Sequence, residues 1–337
     1  MLISWNTTQA CNINCLHCYR DAGNCLSDEL TTAEGKKLLD EACSCGFRIF
    51  VFSGGEPLLR PDLAELISYA KSIGLRPVLG TNGILLTPEK VAELKKAGLA
   101  AAGISVDSLS AEKHDWFRQA KGAWEGTVAG IKACREAGLP FQIHTTVMDW
   151  NEPETLAITD KAVEWGAMAH HIFFLVPTGR GDSIKDRSLT AVQQEALLEK
   201  ILDKQRQVSI ELKPTCAPQF MRIAAQKGIP MRFSKGCIAG TAYCVVLPNG
   251  DLQPCPYFPL KAGNVRKDGF AQLWKESGLM KELRSDNLRG QCGACAFKKA
   301  CGGCRARAWY GSGGDYMAED PHCIMTGKEK TEEAQKC

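Results

Sequence analysis

The chain has 337 residues, of which 45% are hydrophobic and 23% are charged, a balance typical of a soluble globular protein with one large and one smaller domain. Its net charge of +3 and the lack of a long apolar run argue against a nucleic-acid or membrane partner. Seventeen cysteines without an apparent signal peptide favour metal or redox use over a disulfide framework, and we expect a cytoplasmic protein.

A first predicted strand, Leu2–Asn6, leads into a loop with three cysteines, Cys11, Cys15 and Cys18, at the spacing C-x-x-x-C-x-x-C. Three thiolates on one loop can hold three irons of a cubic 4Fe–4S cluster, which leaves the fourth iron open for an exogenous ligand. A zinc knuckle or a set of structural thiols would use the same residues. The spacing therefore predicts a metal site, with the open cluster as the favoured interpretation.

Short apolar segments alternate with amphipathic segments over the first two hundred residues. The further predicted strands are Arg48–Phe52, Arg76–Gly80, Ala101–Val106, Phe141–Val147 and His170–Val176. The predicted helices are Thr31–Cys45, Pro61–Ile73, Pro88–Ala97, Trp124–Ala137, Pro153–Trp165 and Thr190–Gln207. Six βα units in series predict an α/β fold with a parallel sheet. Because a closed barrel needs eight units, we expect residues 1–207 to form an open, partial (β/α)6 barrel.

Polar residues follow several predicted strands, at the edge of the sheet where such folds place their chemistry. Gly54-Gly55-Glu56-Pro57 follows the second strand and Thr81-Asn82-Gly83 the third, while Ser105 and Asp107 lie on one side of the fourth. Arg118 lies in the loop beyond. Each motif alone also fits an ordinary turn, but together they predict a cavity with amine, hydroxyl and carboxylate partners.

Residues 208–236 break the alternation and are expected to bridge two domains. Pro214 and Pro218 flank Cys216 and predict a loop there. Cys216 belongs to neither cysteine cluster. A partly buried free thiol is the commoner role for such a residue, and a contact with the substrate between the domains is the alternative.

Residues 237–337 form a predicted cysteine-rich domain. It contains two C-x-x-C pairs separated by five residues within the series Cys237, Cys244, Cys255, Cys292, Cys295, Cys301, Cys304 and Cys323. These eight cysteines make two complete sets of four, a count that two zinc sites would also satisfy.

Two motifs resemble the radical S-adenosylmethionine superfamily: the three-cysteine loop, with His17 just before its last cysteine, and the stretch Gly54-Gly55-Glu56-Pro57. The resemblance implies an enzyme in which the open iron chelates S-adenosylmethionine. Reductive cleavage of this cofactor then yields a 5′-deoxyadenosyl radical that abstracts a substrate hydrogen. It also implies a low-potential electron donor, such as ferredoxin or flavodoxin. By the same resemblance, Glu56 and the glycine backbone would meet the methionine amine, Ser105 and Arg118 its carboxylate, and Asn82 or Asp107 the ribose.

The C-terminal cysteines resemble the SPASM domain, which carries two auxiliary 4Fe–4S clusters. Gly250 lies five positions before Cys255, as in that motif. The resemblance implies interleaved ligand sets: Cys237, Cys244, Cys255 and Cys304 for one cluster, and Cys292, Cys295, Cys301 and Cys323 for the other. The last C-x-x-C pair has two intervening residues where the commonest form of the motif has three, which puts the interleaving in question but not metal binding.

The stretches 177–181, 214–219, 301–308 and 314–321 resemble the NirJ-like and Ahb-like enzymes of haem d and alternative haem biosynthesis. This implies a radical oxidoreductase or lyase of the decarboxylase type that removes acetate or propionate groups from an iron tetrapyrrole, with an auxiliary cluster as a plausible electron acceptor. Substrate carboxylates need cationic partners. The candidates on the substrate side are Cys216, Arg180, Lys213, Arg222, Arg232, His144, His170 and His171. The cations and histidines among them are each equally compatible with a structural or solvated role.

A peptide or protein maturase of the SPASM type, forming a thioether or oxidising a Ser or Cys side chain, is the alternative function. Many such maturases carry an additional peptide-recognition domain, and the early first strand leads us to expect none before the barrel. A non-catalytic electron carrier or zinc protein is the third interpretation, but it would not require the Gly54-Gly55-Glu56-Pro57 motif.

Overall fold

In a computed structural model of the protein, residues 1–326 are described, so the last eleven residues of the predicted cysteine-rich domain lie outside the described part. Ten strands form one sheet: β1 (Leu2–Asn6), β2 (Ile49–Ser53), β3 (Arg76–Thr81), β4 (Ala101–Ser105), β5 (Phe141–Val147), β6 (Ala169–Phe174), β7 (Glu211–Thr215), β8 (Tyr243–Val246), β9 (Asp251–Gln253) and β10 (Gly263–Asn264). Their order is β10-β9-β8-β1-β2-β3-β4-β5-β6-β7. The strands from β8 to β7 in this order are parallel, whereas β9 and β10 are antiparallel to their neighbours.

Thirteen α-helices are present in the described residues. They are α1 (Thr32–Ser44), α2 (Leu63–Ser72), α3 (Pro88–Ala97), α4 (Ala111–Arg118), α5 (Ala123–Glu136), α6 (Thr155–Trp165), α7 (Ala191–Gln205), α8 (Gln219–Gln226), α9 (Val265–Asp268), α10 (Phe270–Glu276), α11 (Gly278–Leu283), α12 (Gly290–Ala294) and α13 (Arg305–Ser312). Within residues 1–326, none is both long and apolar enough to cross a bilayer.

Helix ends form where the sequence supplies caps. Thr31 and Glu34 make a reciprocal capping box at the start of α1, which satisfies backbone N–H groups that a helix start leaves unpaired. Thr87 caps α3, Pro88 occupies its first turn, and Gly98 ends it with φ 100°, a left-handed conformation that glycine adopts at little cost.

The strands of the sheet separate a helix-covered face from a polar face. In β1, Ile3 and Trp5 are fully buried in the main hydrophobic core, whereas Ser4 between them lines a central cavity, as the two-residue period of a strand requires. Gly35 in α1 lets the helix approach Trp5, because a Cβ there would lie 2.6 Å from the Trp5 ring. The alternation thus directs apolar side chains toward the helices and polar ones toward the cavity.

The predicted parallel α/β architecture with six βα units is confirmed. The predicted loop around Cys216 was wrong for residues up to Thr215, because Glu211–Thr215 forms β7 and pairs in parallel with β6. β7 is an edge strand, where Pro214 is tolerated. The predicted domain boundary at residue 207 therefore separates strands that belong to one sheet. β8, from the cysteine-rich region, joins that sheet beside β1.

Candidate active site

A cavity of about 260 Å³ lies at the carboxyl ends of the parallel strands, and Cys11, Cys15 and Cys18 all line it. The loop that carries them leaves β1 at Asn6. It is closed by backbone hydrogen bonds from Cys11 N to Gly23 O (2.9 Å) and from Gly23 N to Gln9 O (3.0 Å). The contiguous motif is therefore held as one compact loop whose three thiols face a shared space.

Gly54 and Gly55 allow the chain after β2 to pack against the start of the cysteine loop. A Cβ on Gly54 would lie 2.6 Å from Thr8 O, and a Cβ on Gly55 would overlap the carbonyl of Ala10. Because these side chains are absent, the two backbones come close enough for hydrogen bonds from Gly55 N to Thr8 O (2.8 Å) and from Glu56 N to Ala10 O (2.7 Å). Both glycines also line the cavity, so the same residues fix the cysteine loop and leave room for a ligand.

Glu56 does not line the cavity, although the resemblance assigned its side chain to the methionine amine. Its carboxylate is fully buried and accepts hydrogen bonds from Thr81 Oγ1 (2.9 Å), Asn82 N (2.9 Å) and Leu58 N (3.1 Å). Burial raises the pKa of Glu56 to about 7, and the hydrogen bonds to Asn82, Leu58 and Thr81 oppose that rise. Pro57 is also absent from the lining residues. Glu56 therefore joins the ends of β2 and β3 beneath the cavity.

Arg118 reaches the cavity from the end of α4. Its Nη2 lies 2.6 Å from Asp107 Oδ2, and its Nη1 lies 3.7 Å from Cys15 Sγ. Burial disfavours the charged guanidinium, but Asp107 and Cys15 outweigh burial and raise the pKa of Arg118. Asp107 itself does not line the cavity and binds Thr146 N at 2.8 Å. The contact with Asp107 thus keeps the Arg118 guanidinium charged beside the cysteine loop.

The remaining residues assigned to the cofactor lie at the cavity wall. Asn82 and Ser105 both line it. Asn82 Nδ2 donates to Asn12 Oδ1 in the cysteine loop (2.8 Å), and Ser105 Oγ donates to Thr81 O (3.3 Å). Five of the eight predicted cofactor residues thus reach one cavity: Gly54, Gly55, Asn82, Ser105 and Arg118.

The substrate-side candidates are dispersed. Arg180 lines the cavity, but its guanidinium donates to the carbonyls of Cys15 (2.9 Å) and Ala22 (3.0 Å), so it braces the cysteine loop. Lys213 lies outside the lining and over the Phe233 ring at 4.7 Å. The other two cations are also placed elsewhere: Arg222 pairs with Glu195 at 2.6 Å, and Arg232 is 85% exposed beside Glu211.

The three histidines face different surroundings. His144 lines the cavity and stacks on His171, with ring centroids 5.3 Å apart. Burial lowers the pKa of His144 to about 4, so it is neutral at physiological pH. His170 is fully buried between Thr159 and Thr145, at 2.9 Å from each hydroxyl. Of these three histidines, His144 lines the cavity and His171 stacks on it.

Several lining residues were not predicted from the sequence. Phe173, Tyr243 and Tyr257 lie on the cavity wall, and Tyr243 and Tyr257 come from the cysteine-rich region. Tyr257 follows Cys255 by two residues, a proximity that could have indicated its position. His17 stacks on Phe117 at 4.2 Å, while its buried Nδ1 has no partner among the described residues.

The chemistry of this cavity fits an iron–sulfur cluster with a polar, charged cofactor beside it. Burial raises the pKa of Cys11 to about 11, so the thiol keeps its proton at neutral pH unless a metal replaces it. Within residues 1–326, no three thiol, imidazole or carboxylate groups converge as ligands of a single ion. The three thiols instead border a larger space, together with the unpaired His17 Nδ1 and glycine backbone.

The C-terminal cysteines divide into two groups. Cys292, Cys295, Cys301 and Cys323 line a second, smaller cavity, as the predicted interleaving requires. In the other predicted set, Cys255 and Cys304 belong to one hydrophobic cluster, and the loop of Cys237 approaches Cys255 through Gly240 N, which donates to Pro254 O (3.3 Å). Cys244 lies apart from them, fully buried in the main core. Seven of the eight thiols thus lie in two groups, and Cys244 lies outside both.

Comparisons with known proteins agree with this arrangement. Residues 5–162 match the family described as the radical SAM superfamily, and residues 237–296 match SPASM, an iron–sulfur cluster-binding domain. The AdoMet-dependent heme synthase of Methanosarcina barkeri is 44% identical over 98% of this chain and 97% of its own. The Fe-coproporphyrin III synthase of the same organism is 30% identical, covering 97% of this chain and 88% of its own.

Another relative is the mycofactocin maturase MftC of Mycobacterium tuberculosis, which is 31% identical over 97% of this chain and 83% of its own. Among solved structures, SuiB of Streptococcus suis bound to S-adenosylmethionine has a TM-score of 0.77 and 18% identity. It covers 96% of this chain and 77% of its own. That similarity shows the fold alone.

Proposed function

The chain belongs to the radical S-adenosylmethionine superfamily and carries its SPASM iron–sulfur domain, and from this premise we propose that it removes carboxylate side chains of an iron tetrapyrrole in haem formation. The observation that carries the proposal is the 44% identity to a haem synthase over 98% of this chain. That match spans both cysteine regions. The relative named for Fe-coproporphyrin III points to the same class of substrate.

Cys11, Cys15 and Cys18 would hold the cluster that binds S-adenosylmethionine, and the lining residues Gly54, Gly55, Asn82, Ser105 and Arg118 would surround the cofactor. When bound, the cluster and S-adenosylmethionine together supply a 5′-deoxyadenosyl radical able to abstract hydrogen from an unactivated carbon. Arg118, fixed by Asp107 at 2.6 Å, offers a permanent positive charge to a carboxylate.

The cavity wall would protect reactive carbon from water. Phe173, Phe174, Leu175 and Val176 form a continuous apolar stretch of lining at the end of β6. Neutral His144 lies beside Phe173, with ring centroids 5.2 Å apart. A flat, largely apolar macrocycle can pack against such a wall, and exclusion of water suppresses side reactions of the radical.

The decarboxylation that we propose also needs an electron acceptor. Removal of a hydrogen atom from the carbon next to the one bearing the carboxylate leaves a carbon radical. Loss of carbon dioxide then forms a C=C bond and releases one electron. We propose that the SPASM region holds two auxiliary 4Fe–4S clusters and that one of them accepts this electron. Tyr257 supports this, because it lines the cavity and directly follows the loop of Cys255.

An anaerobic turnover assay tests the proposal. The reconstituted protein receives dithionite in place of its natural low-potential donor, together with S-adenosylmethionine, and then iron-coproporphyrin or didecarboxysirohaem. A product lighter by carboxyl or acetate units, in proportion to the 5′-deoxyadenosine formed, is expected. Deoxyadenosine formation with no change in any tetrapyrrole would reject this substrate class.

The alternative is a peptide-modifying enzyme, which the 31% identity to a mycofactocin maturase supports. The two functions differ in the partner that must enter the cavity. A peptide substrate would be indicated if deoxyadenosine formation rose on addition of a candidate precursor peptide and did not respond to tetrapyrroles.

A further inference from the structure

Cys216 lies beside three of the cysteines expected to form the first auxiliary site. Cys216, Cys255 and Cys304 belong to one small hydrophobic cluster at the junction of the barrel and the SPASM region. Cys237 belongs to the same group, because Gly236 next to it packs on Pro218, two residues after Cys216. Cys216, which is isolated in the sequence, is therefore a fourth thiol beside Cys237, Cys255 and Cys304.

Backbone contacts hold three of these segments against one another. Gly236, next to Cys237, packs on Pro218, where a Cβ would lie 2.6 Å from the Pro218 side chain. Gly240 N donates to Pro254 O (3.3 Å), beside Cys255. These contacts place the loops of Cys216, Cys237 and Cys255 against one another.

Arg307 links Cys216 to Cys304. Its Nη2 donates to the Cys216 carbonyl (2.7 Å), and its Nη1 lies 3.3 Å from Asp320 Oδ2, which also accepts from Cys304 N (2.7 Å). Cys216 has a φ of 62°, a left-handed conformation that is uncommon outside glycine and is typical of functional sites. The surrounding contacts thus hold this residue in an unfavourable conformation.

Cys244 faces the opposite side of the sheet. Its neighbour Tyr243 lines the central cavity and donates from its hydroxyl to Ser4 Oγ (3.0 Å). Successive side chains of a strand point to opposite faces, so Cys244 points into the main core, against which Cys45 also packs. No rotation of its side chain moves it through β8 to the other face.

We propose that Cys216, Cys237, Cys255 and Cys304 are the four ligands of the first auxiliary cluster and that Cys244 is a core residue. The inference rests on the proposed pair of auxiliary clusters but not on the tetrapyrrole substrate. Four thiolates leave no iron of a cubane open. This auxiliary cluster is therefore an electron carrier and does not bind substrate directly.

Iron content in a simplified background tests the ligand set. Replacing Cys11, Cys15 and Cys18 by Ala removes the N-terminal site, and this parent is expected to bind about eight irons, four per auxiliary cluster. Adding Cys216→Ala should lower the content to about four irons, or should leave a cluster that gives a three-iron electron paramagnetic resonance signal on mild oxidation. Adding Cys244→Ala should leave iron, sulfide and spectrum as in the parent, and Cys134→Ala serves as the matched control for loss of a buried thiol.

A Cys216→Ala protein with parental iron and spectrum would overturn the proposal, as would loss of a cluster in Cys244→Ala. The parent's iron content tests the cluster count, and the variants test the ligands, so the two proposals can fail separately. Thiol alkylation of the unmodified protein removes any dependence on variant folding. Cys216 should be protected while iron is bound and should become labelled on anaerobic chelation together with Cys237, Cys255 and Cys304. Labelling of Cys216 in the iron-loaded protein would also overturn the assignment.

Discussion

The two cysteine regions are built in different ways. Cys11, Cys15 and Cys18 come from one loop of β1 and line one cavity, whereas the C-terminal thiols are collected from segments far apart in the chain. The local loop has a spacing that identifies it directly from the sequence. In the dispersed region the fold decides which thiols meet, and Cys244, which the sequence groups with Cys237, Cys255 and Cys304, is buried in the main core.

If the two regions hold separate clusters, removing a ligand from the loop should leave the other region intact. Cys15→Ala is expected to abolish formation of 5′-deoxyadenosine and to remove about four irons per chain. The remaining iron should belong to the C-terminal sites. Cleavage assays and iron analysis, with Cys134→Ala as the control, would test this. Unchanged cleavage would contradict the assignment of the loop.

The dispersed region should depend on single buried residues that connect its segments. Asp320 is fully buried and accepts from Cys304 N (2.7 Å) and Gln219 Nε2 (2.8 Å), while its own N–H lies 3.4 Å from Cys292 Sγ. Asp320→Ala leaves the Arg307 guanidinium without its carboxylate, and we expect a loss of about 3–5 kcal/mol in the free energy of unfolding.

Urea unfolding and iron analysis would measure this effect, and both C-terminal sites should lose iron. Glu93→Ala, which breaks an exposed pair with Lys90 on α3, is the control and should change little. Loss of iron from the N-terminal loop alone would contradict the role of Asp320.

A smaller effect is expected where backbone approach supports the loop. Gly55→Ala introduces a Cβ that overlaps the Ala10 carbonyl, and overpacking of this kind costs about 1–3 kcal/mol. The displaced loop should weaken binding of S-adenosylmethionine about tenfold, which corresponds to about 1.4 kcal/mol. Calorimetric titration of the reconstituted protein would measure it. Gly23→Ala in the same loop, where a Cβ meets nothing within 4 Å, should bind as the unmodified protein does.

The smallest effect concerns the contact between the two regions. Arg266 donates to Glu34 Oε1 (2.7 Å) and to the carbonyls of Asp28 (2.6 Å) and Glu29 (2.8 Å). The hydrogen bond from Arg266 lowers the pKa of Glu34 to about 2. Because the pair is partly exposed, Arg266→Ala should cost only about 1 kcal/mol.

The pH dependence of that cost follows from the lowered pKa. A carboxyl group whose pKa is lower in the folded state contributes fully above its unfolded pKa and loses the contribution as the pH falls. The difference between Arg266→Ala and the unmodified protein should therefore be constant above about pH 5 and shrink below it. Unfolding titrations at several pH values would test this, with the exposed Arg232→Ala as the control. A difference that grew with acidity would contradict the ion pair.

The sequence predicted the local features well because their signals are local. The bounds of β5 and α3 agree with the predicted Phe141–Val147 and Pro88–Ala97, where strand alternation and a Thr-Pro start with a terminal glycine leave little choice. β7 was missed because Pro214 suggests a loop unless the strand is known to lie at an edge. The pairing of β8 with β1 joins residues about 240 positions apart, and no local pattern carries that information.

The site shows the same division. The sequence motifs at strand ends identified the glycines and Arg118 as lining residues. The burial of the Glu56 carboxylate beneath the cavity could not be predicted from its sequence position. The motif places a carboxylate near the cavity, and only the fold shows that Thr81, Asn82 and Leu58 satisfy it. Cys216 was predicted to be a packing thiol or a contact with the substrate because it belongs to neither cysteine cluster in the sequence, whereas the fold places it with Cys255 and Cys304.

The place of β8 beside β1 has a consequence for how the protein is made. β1 (Leu2–Asn6) pairs with β8 (Tyr243–Val246), so β1 gains its second neighbour only after about 240 further residues have been synthesised. Closing so long a segment is entropically costly and slow. The strand that carries the cysteine loop therefore completes its pairing only after all the other parallel strands have been synthesised.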